Sequence, residues 1–279
     1  MTALNEVGLI ASREMRKNLR SLKGLALVTL SLLGAIAVAF LINKGHKLQE
    51  SRFGAEELRA GQEFALTQAY DDPQMGKYLA DAPTVLLALL AITIWLSPLI
   101  AGVLGFDAVS GELQHRTVRY WTVRSRRASY FGGKVLGLWG VVAALTLVMH
   151  VFIWVVTLVV GGAGTAPAAA TVGWGFQFYL VTLPISAAWC SLVILISAQF
   201  RNPIVTLFVI SAAFGGLWIV NVIGRLAQVK PLTYLYPNSY DALLLSPHLD
   251  KVGLGAAICF GICALATGVG TLLFVRRDV

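Results

Sequence analysis

Charged residues and cysteines are both scarce in this sequence. Asp, Glu, Lys and Arg make up 13% of its 279 residues, against about 25% in a soluble globular domain. Its three cysteines, Cys190, Cys259 and Cys263, all lie in apolar stretches and show no spacing typical of disulfide frameworks or metal sites. The composition therefore excludes an ordinary soluble domain and predicts no disulfide and no bound metal.

Motifs for nucleotide binding and catalysis are also missing. The phosphate-binding pattern G-x-x-x-x-G-K-[ST] is most nearly approached at Gly133-Lys134, but Ala128 replaces the first glycine and Val135 replaces the Ser or Thr. The residue pairings of a membrane protease, including H-E-x-x-H, are absent as well. We therefore expect that the chain is not an enzyme and binds no cofactor of its own.

Long apolar runs occupy most of the chain. Hydrophobic residues make up 57% of the sequence, and six runs reach the roughly 20 residues that a helix needs to cross a bilayer. They cover approximately residues 22–43, 83–105, 134–161, 172–198, 204–224 and 252–275. The first run starts too late and is too long for a signal peptide. The predicted fold is an all-α membrane protein with six transmembrane helices in a single domain, residues 1–279.

Basic residues are unequally distributed between the two sides of these spans. With the N-terminus in the cytoplasm, fourteen of the 22 Lys and Arg residues lie inside and eight lie outside. The positive-inside rule therefore predicts that both termini are cytoplasmic. We expect a multi-pass protein of the plasma membrane, which in a bacterium is the inner membrane. Membrane lipid with anionic headgroups explains the net charge of +8, so no nucleic-acid partner is predicted.

The N-terminal segment, residues 1–21, has the pattern of an amphipathic helix. Four basic residues gather on one face, which predicts a helix lying at the membrane interface. A basic tail without helical structure is the alternative. The apolar face consists of Leu4, Val7, Ala11, Met15, Leu19 and Leu22.

Two further segments outside the spans carry patterns of their own. Residues 44–82 form an acidic external loop in which helix-favouring stretches predict a small helical cap. Residues 225–251 are rich in Tyr, Leu and Pro, which predicts short re-entrant or interfacial helices before the sixth span. Tyrosines at a membrane boundary are also common without any such structure.

The loop between the second and third spans, residues 106–133, is unusually basic. Its stretch SGELQHRTVRYW predicts one short helix with Glu112, Arg116 and Arg119 along one face. Apolar residues between these charges provide contact area, so the helix suits docking onto a soluble partner. Contact with lipid headgroups is the alternative.

This loop resembles that of the permease subunits of ATP-binding cassette transporters in the type-2 exporter superfamily. The resemblance rests on Asp107, Ser110-Gly111-Glu112, Thr117, Arg126 and Gly133-Lys134. It departs from the family at Val123, where a proline is common. The resemblance implies that the loop is a cytoplasmic coupling helix that docks onto an ATP-binding cassette ATPase subunit. The docking residues it implies are Asp107, Ser110, Gly111, Glu112, Arg116, Thr117, Arg119 and Arg126.

The function implied is the membrane-spanning subunit of an ATP-driven exporter. ATP and Mg would be bound by the partner subunit, and a second permease copy, identical or related, would complete the unit. A membrane anchor or signalling scaffold that recruits such an ATPase without transport is a second hypothesis. An ion-coupled carrier is a third, because His150 lies near the middle of the third span and could titrate. His150 and Asn221 are the candidate polar residues of a transport pathway, and the cargo stays open.

Overall fold

A computed structural model describes residues 2–160 and 168–276 of the chain. In these two ranges the regular secondary structure is entirely helical. The helices are α1 (Ala3–Arg20), α2 (Leu22–Phe53), α3 (Ala55–Tyr70), α4 (Pro73–Ala80), α5 (Thr84–Gly105), α6 (Ser110–Gln114), α7 (Val118–Arg124), α8 (Arg127–Val160), α9 (Ala168–Ser197), α10 (Pro203–Leu226), α11 (Lys230–Thr233), α12 (Asp241–Leu244) and α13 (Leu249–Val275), with a 3₁₀ turn at Pro237–Tyr240.

Six helical segments are long and apolar enough to cross a membrane. A bilayer offers the backbone no water to bind, so an apolar run of this length satisfies its peptide groups internally as a helix. The segments are Leu22–Ile42, Thr84–Gln114, Arg127–Val159, Ala168–Ser197, Pro203–Leu226 and Leu249–Val275. The predicted all-α membrane fold with six spans is confirmed.

The core of the bundle is built around α9. In this helix 72% of the most apolar segment is buried within the chain, against 11% in α2 and in α10. Trp189 and Phe178 of α9 are fully buried, and α9 packs against α5, α8 and α13. The bundle therefore has a packed centre, while α2 and α10 present mostly exposed apolar faces.

Helices α3 and α4 form a helical hairpin after α2. Asp71 adopts a left-handed conformation with φ 53°, which ends α3. The Asp72 carboxylate accepts hydrogen bonds from the backbone N–H of Gln74 at 2.9 Å and of Met75 at 3.3 Å, which caps α4. The 44–82 segment thus consists of the end of α2 followed by the two helices α3 and α4, of which α4 is capped by a side chain.

The segment before the last span is anchored to the bundle by two asparagines. Asn221 of α10 donates to the Thr233 carbonyl at 3.1 Å and to Ser239 Oγ at 2.6 Å. The side chain of Asn238 accepts a hydrogen bond from Trp189 Nε1 at 2.7 Å and donates one to the Ile94 carbonyl at 2.8 Å. Helices α11 and α12 are each only one turn long. Short helices are therefore present in residues 225–251, and their depth relative to the membrane stays a prediction.

Candidate docking site and its buried charge network

The loop between the second and third spans folds as two short helices, not one. Arg116 has a left-handed backbone with φ 58°, which ends α6, and Thr117 closes the turn by donating its N–H to the Glu112 carbonyl at 2.9 Å. The prediction of one continuous helix with Glu112, Arg116 and Arg119 on a single face is therefore wrong. The tight turn sends Glu112 into the chain and leaves Arg116 exposed.

The start of α6 is fixed to the end of the fourth span. Ser197 Oγ accepts hydrogen bonds from the backbone N–H groups of Val109 and Ser110 at 3.2 and 3.1 Å and donates to the Phe106 carbonyl at 2.9 Å. Ser110 Oγ donates to the same carbonyl at 2.7 Å. These bonds satisfy backbone groups at the helix start and fix the direction in which α6 leaves the second span.

Asp107, at the entrance to the loop, is bound to the start of the first span. Its carboxylate forms an ion pair with Lys23, whose Nζ also donates to the Leu104 carbonyl at 3.2 Å. Gly111 is partly exposed, and a Cβ added there would make only ordinary contacts with Asp107 and Pro203. Asp107 therefore links two spans, while nothing sterically requires glycine at position 111.

Glu112 belongs to a buried network of charged side chains. Its carboxylate accepts hydrogen bonds from Lys134 Nζ at 2.7 Å and from the Tyr130 hydroxyl at 2.7 Å. Lys134 Nζ also donates to Glu14 of α1 at 2.7 Å. The side chains of Lys134, Glu14 and Glu112 are only 2%, 5% and 11% exposed. The ammonium group therefore lies between two carboxylates from different helices.

Sequence reasoning missed Glu14. It is the only acidic residue in the C-terminal half of α1 and lies four residues from both Ile10 and Asn18, and these three residues form the buried stripe of the helix. Glu14 stands among basic residues and lies at the helical spacing of a buried stripe, and this combination is the signal that could have identified it. Lys134 was noted as part of a Gly-Lys step, but its partners could not be read from the sequence.

Helix α1 packs tightly on the first turns of α8 through glycines. A Cβ added at Gly133 would lie 2.7 Å from Ile10 Cβ, and one at Gly137 would lie 2.7 Å from Glu14 Cβ. The absence of side chains lets the two helices approach closely enough for Glu14 to reach Lys134.

The apolar residues predicted for one face of α1 lie in two environments. Met15 and Ala11 contact α8, whereas Leu4 and Leu22 are 83% and 85% exposed. The glycines of α8 admit the stripe of Ile10, Glu14 and Asn18, which sequence reasoning did not assign. The position of the apolar face at the membrane interface stays a prediction.

The outer surface of the loop carries the remaining predicted docking residues. Arg116, Thr117, Arg119 and Arg126 are exposed. The Arg126 backbone N–H donates to the Glu6 carboxylate at 3.2 Å, and this hydrogen bond lowers the pKa of Glu6. The predicted docking residues therefore form two groups. Ser110 and Glu112 face the interior of the chain, and the four exposed residues face outward.

Two exposed apolar side chains accompany these outward residues. Tyr120 is 73% exposed and Val123 is 86% exposed on α7. On the opposite side of α7, Val118 is fully buried. The Arg13 guanidinium lies over the Trp121 ring, with its Cζ atom 4.1 Å from the ring centroid. One face of α7 thus anchors the loop and the other is available for contact.

The two candidate pathway residues lie in different surroundings. Asn221 is buried, donates to Ser239 Oγ at 2.6 Å and lines a cavity of about 350 Å³ that also contacts Trp95, Trp218 and Asp241. His150 is 1% exposed, and its Nδ1 lies 2.9 Å from the Thr146 carbonyl. Asn221 therefore borders open space, while His150 lies between packed helices.

Clusters able to hold a metal ion are not found among the residues that the structure describes. A comparison with curated proteins gives no match. The model of a protein family described as ABC-2 family transporter protein matches residues 9–279. This range includes all six spans, the loop with its buried network and most of α1. Because the match covers nearly the whole sequence, the chain belongs to the ABC-2 family of transporter proteins.

Proposed function

We propose that this membrane permease of ABC-type transport is the translocating subunit of an ATP-driven exporter. A separate ATP-binding cassette ATPase binds ATP and Mg, and the chain itself hydrolyses no ATP and carries no cofactor. Residues 106–133 dock onto that ATPase on the cytoplasmic side, where both termini also lie. The permease family supports association with such an ATPase, and the exposed face of α7 supports the place of docking.

The exposed face of α7 is the observation that supports docking most directly. Tyr120 and Val123 expose apolar surface beside the exposed cation of Arg116. Tyr and Arg are enriched in protein interfaces and among the few residues that contribute most to binding. Because α6 and α7 are held from behind by Ser197, Lys134 and Arg13, this face is preorganised for a partner.

The exposed spans support assembly with a second permease copy, identical or related. Most of α10 is unburied within the chain, and an apolar cavity of about 350 Å³ lies between α5 and α10, lined by Leu99, Phe214 and Trp218. A second copy facing this side would cover that surface and enclose a path between the two subunits. The working unit proposed is two permeases with two ATPases in a plasma membrane, the inner membrane of a bacterium.

The test is a charge placed on the docking face. Val123→Asp and Tyr120→Asp should each weaken association with the ATPase by about tenfold or more, because a buried unpaired carboxylate replaces an apolar contact. Phe64→Asp, an equally exposed position on α3, is the matched control. Wild-type and variant chains are purified from native membranes at equal levels, and the copurified ATPase and its ATP hydrolysis are measured.

Wild-type hydrolysis by both α7 variants would contradict docking at this face. Transport is measured separately in proteoliposomes that contain the purified complex. A complex that hydrolyses ATP but moves no tested amphiphile or peptide would favour the scaffold hypothesis over the exporter.

A further inference from the structure

The N-terminal helix α1 contacts the loop region between the second and third spans at several separate points. It reaches α6 through Glu14 and Lys134, α7 through the Arg13 guanidinium over Trp121, and the end of the loop through Glu6 and the Arg126 backbone. The contacts are distributed along α1 from Glu6 in its first turn to Glu14. Such spacing fixes the orientation of the loop as well as its position.

The central contact resists displacement because its charges are buried. Lys134 lies between Glu14 and Glu112 at 2.7 Å from each carboxylate, and the Tyr130 hydroxyl occupies the second oxygen of Glu112. Moving α6 away from α8 would separate the Glu112 carboxylate from both of its donors, Lys134 and Tyr130, and leave Lys134 with Glu14 alone. Charge-assisted hydrogen bonds of this kind hold one geometry more strictly than apolar packing does.

Helix α1 is in turn firmly attached to the rest of the bundle. It packs closely against the glycines of α8. Ser21 joins it to the first span, because Ser21 Oγ donates to the Asn18 carbonyl at 2.6 Å and accepts from the Gly24 N–H at 3.1 Å. Two residues further on, Lys23 binds Asp107 at the loop entrance. A displacement of the loop is therefore passed to the first span as well as to the two spans that it connects.

We propose that α1 is the positioning element of the loop formed by residues 106–133, and that Lys134 is the positioning residue joining α1 to α6. Helix α1 holds the outward face of α7 in the orientation required for binding and transmits loop movement to α2. The consequence for transport rests on the proposed docking function, whereas the positioning itself rests on the contacts alone.

The test separates α1 from α8 without altering any residue of the charge network. Gly137→Leu places a side chain where a Cβ already approaches Glu14 Cβ at 2.7 Å, whereas Gly132→Leu, five residues earlier on α8, has open space. A nitroxide label on Val123→Cys reports the mobility of α7 in the purified chain without the ATPase, and ATPase association is measured in unlabelled chains that keep Val123. Cys190 and Cys259 are buried, and the partly exposed Cys263 is replaced by Ala in all variants.

Gly137→Leu should increase the mobility of the label at position 123 and lower ATPase association by about tenfold, the effect of losing one charge-assisted contact. Gly132→Leu should change neither. Glu14→Gln, which keeps the Lys134–Glu112 pair, is the milder second variant and should increase mobility in the same direction. A second label at Phe64→Cys should be unaffected, which separates loop release from general unfolding.

The outcomes distinguish this inference from the proposed function. Unchanged mobility at position 123 in both Gly137→Leu and Glu14→Gln would overturn the positioning role, whatever the ATPase does. Increased mobility with normal ATPase association would establish positioning by α1 and contradict the docking role of the loop. Increased mobility at positions 123 and 64 together would show that α1 stabilises the whole bundle and would overturn a specific role.

Discussion

Lys134 shows at the residue scale how a membrane protein can contain charge next to a span. Its ammonium group is 2% exposed and is compensated by Glu14 and Glu112. Removing one partner from a buried ion pair typically costs about 3–5 kcal/mol. The cation is therefore structural, and internal pairing with Glu14 and Glu112 accounts for its location at the start of the third span.

Asp241 is a second partly buried charge, and its protonation should make stability depend on pH. It begins α12, accepts a hydrogen bond from the Ala242 N–H at 2.7 Å and lines the cavity that also contacts Arg225. Burial raises the pKa of Asp241 from 3.8 to about 6, against the opposing effects of that hydrogen bond and of the Arg225 guanidinium. At a pH between these two pKa values, the Asp241 carboxyl group is therefore protonated in the folded chain and ionised in the unfolded chain.

Because the folded pKa is the higher one, stability should fall as pH rises from about 4 to about 6 and stay lower above that window. Asp241→Asn removes this loss, so the variant should gain at most about 3 kcal/mol over wild type above about pH 6 and almost nothing below about pH 4. Thermal unfolding of both chains in detergent across this range measures the difference. The exposed Asp250→Asn is the control, and an equal gain there, or none in Asp241→Asn, would contradict the assignment.

At the scale of elements, the segment between α10 and α13 is held by hydrogen bonds of two asparagine side chains, Asn221 and Asn238. Its helical turns are too short to be stable alone. Asn238 joins them to α9 through Trp189 and to α5 through the Ile94 carbonyl. Ser97 Oγ also donates to that carbonyl at 2.8 Å, so the Trp189 N–H depends more strongly on the asparagine.

Asn238→Leu should loosen this segment while leaving the spans folded. The change leaves the buried Trp189 N–H without an acceptor, which costs about 1–3 kcal/mol. Amide hydrogen exchange should become faster across residues 230–245, as measured by mass spectrometry of the purified chain. His248→Leu, at an exposed position, should leave exchange unchanged. Wild-type exchange in Asn238→Leu would show that apolar packing and the Asn221 hydrogen bonds hold the segment without Asn238.

At the scale of the whole molecule, the charged loop and the α3–α4 hairpin are predicted to face opposite sides of the membrane. Single cysteines at Glu56 and Val123, both exposed, test this in cells that lack the partner ATPase and in chains whose Cys263 is replaced by Ala. An impermeant thiol reagent should label position 56 in intact cells and position 123 only after permeabilisation, as the distribution of Lys and Arg predicts. The reverse pattern would invert the topology and place the docking loop outside the cell.

The candidate site was only partly predictable from the sequence. Composition indicated a basic loop that resembles a coupling helix, and the structure places Arg116, Thr117, Arg119 and Arg126 on its surface. The sequence could not show that Glu112 faces inward, because helical periodicity was extended through Arg116, where a left-handed residue interrupts it. A local pattern assigns faces correctly only as long as the helix continues.

The six spans were determined by the sequence itself, because a long apolar run in a bilayer satisfies its peptide groups only as a helix. The tertiary structure decided which charged side chains pair with one another inside the chain. Glu14 and Lys134 are 120 residues apart, and a Lys near a span end has the same local sequence whether it faces lipid headgroups, a partner or a buried carboxylate. Its partner is chosen by the close approach of α1 to the glycines of α8, and such an approach depends on the packing of the whole bundle.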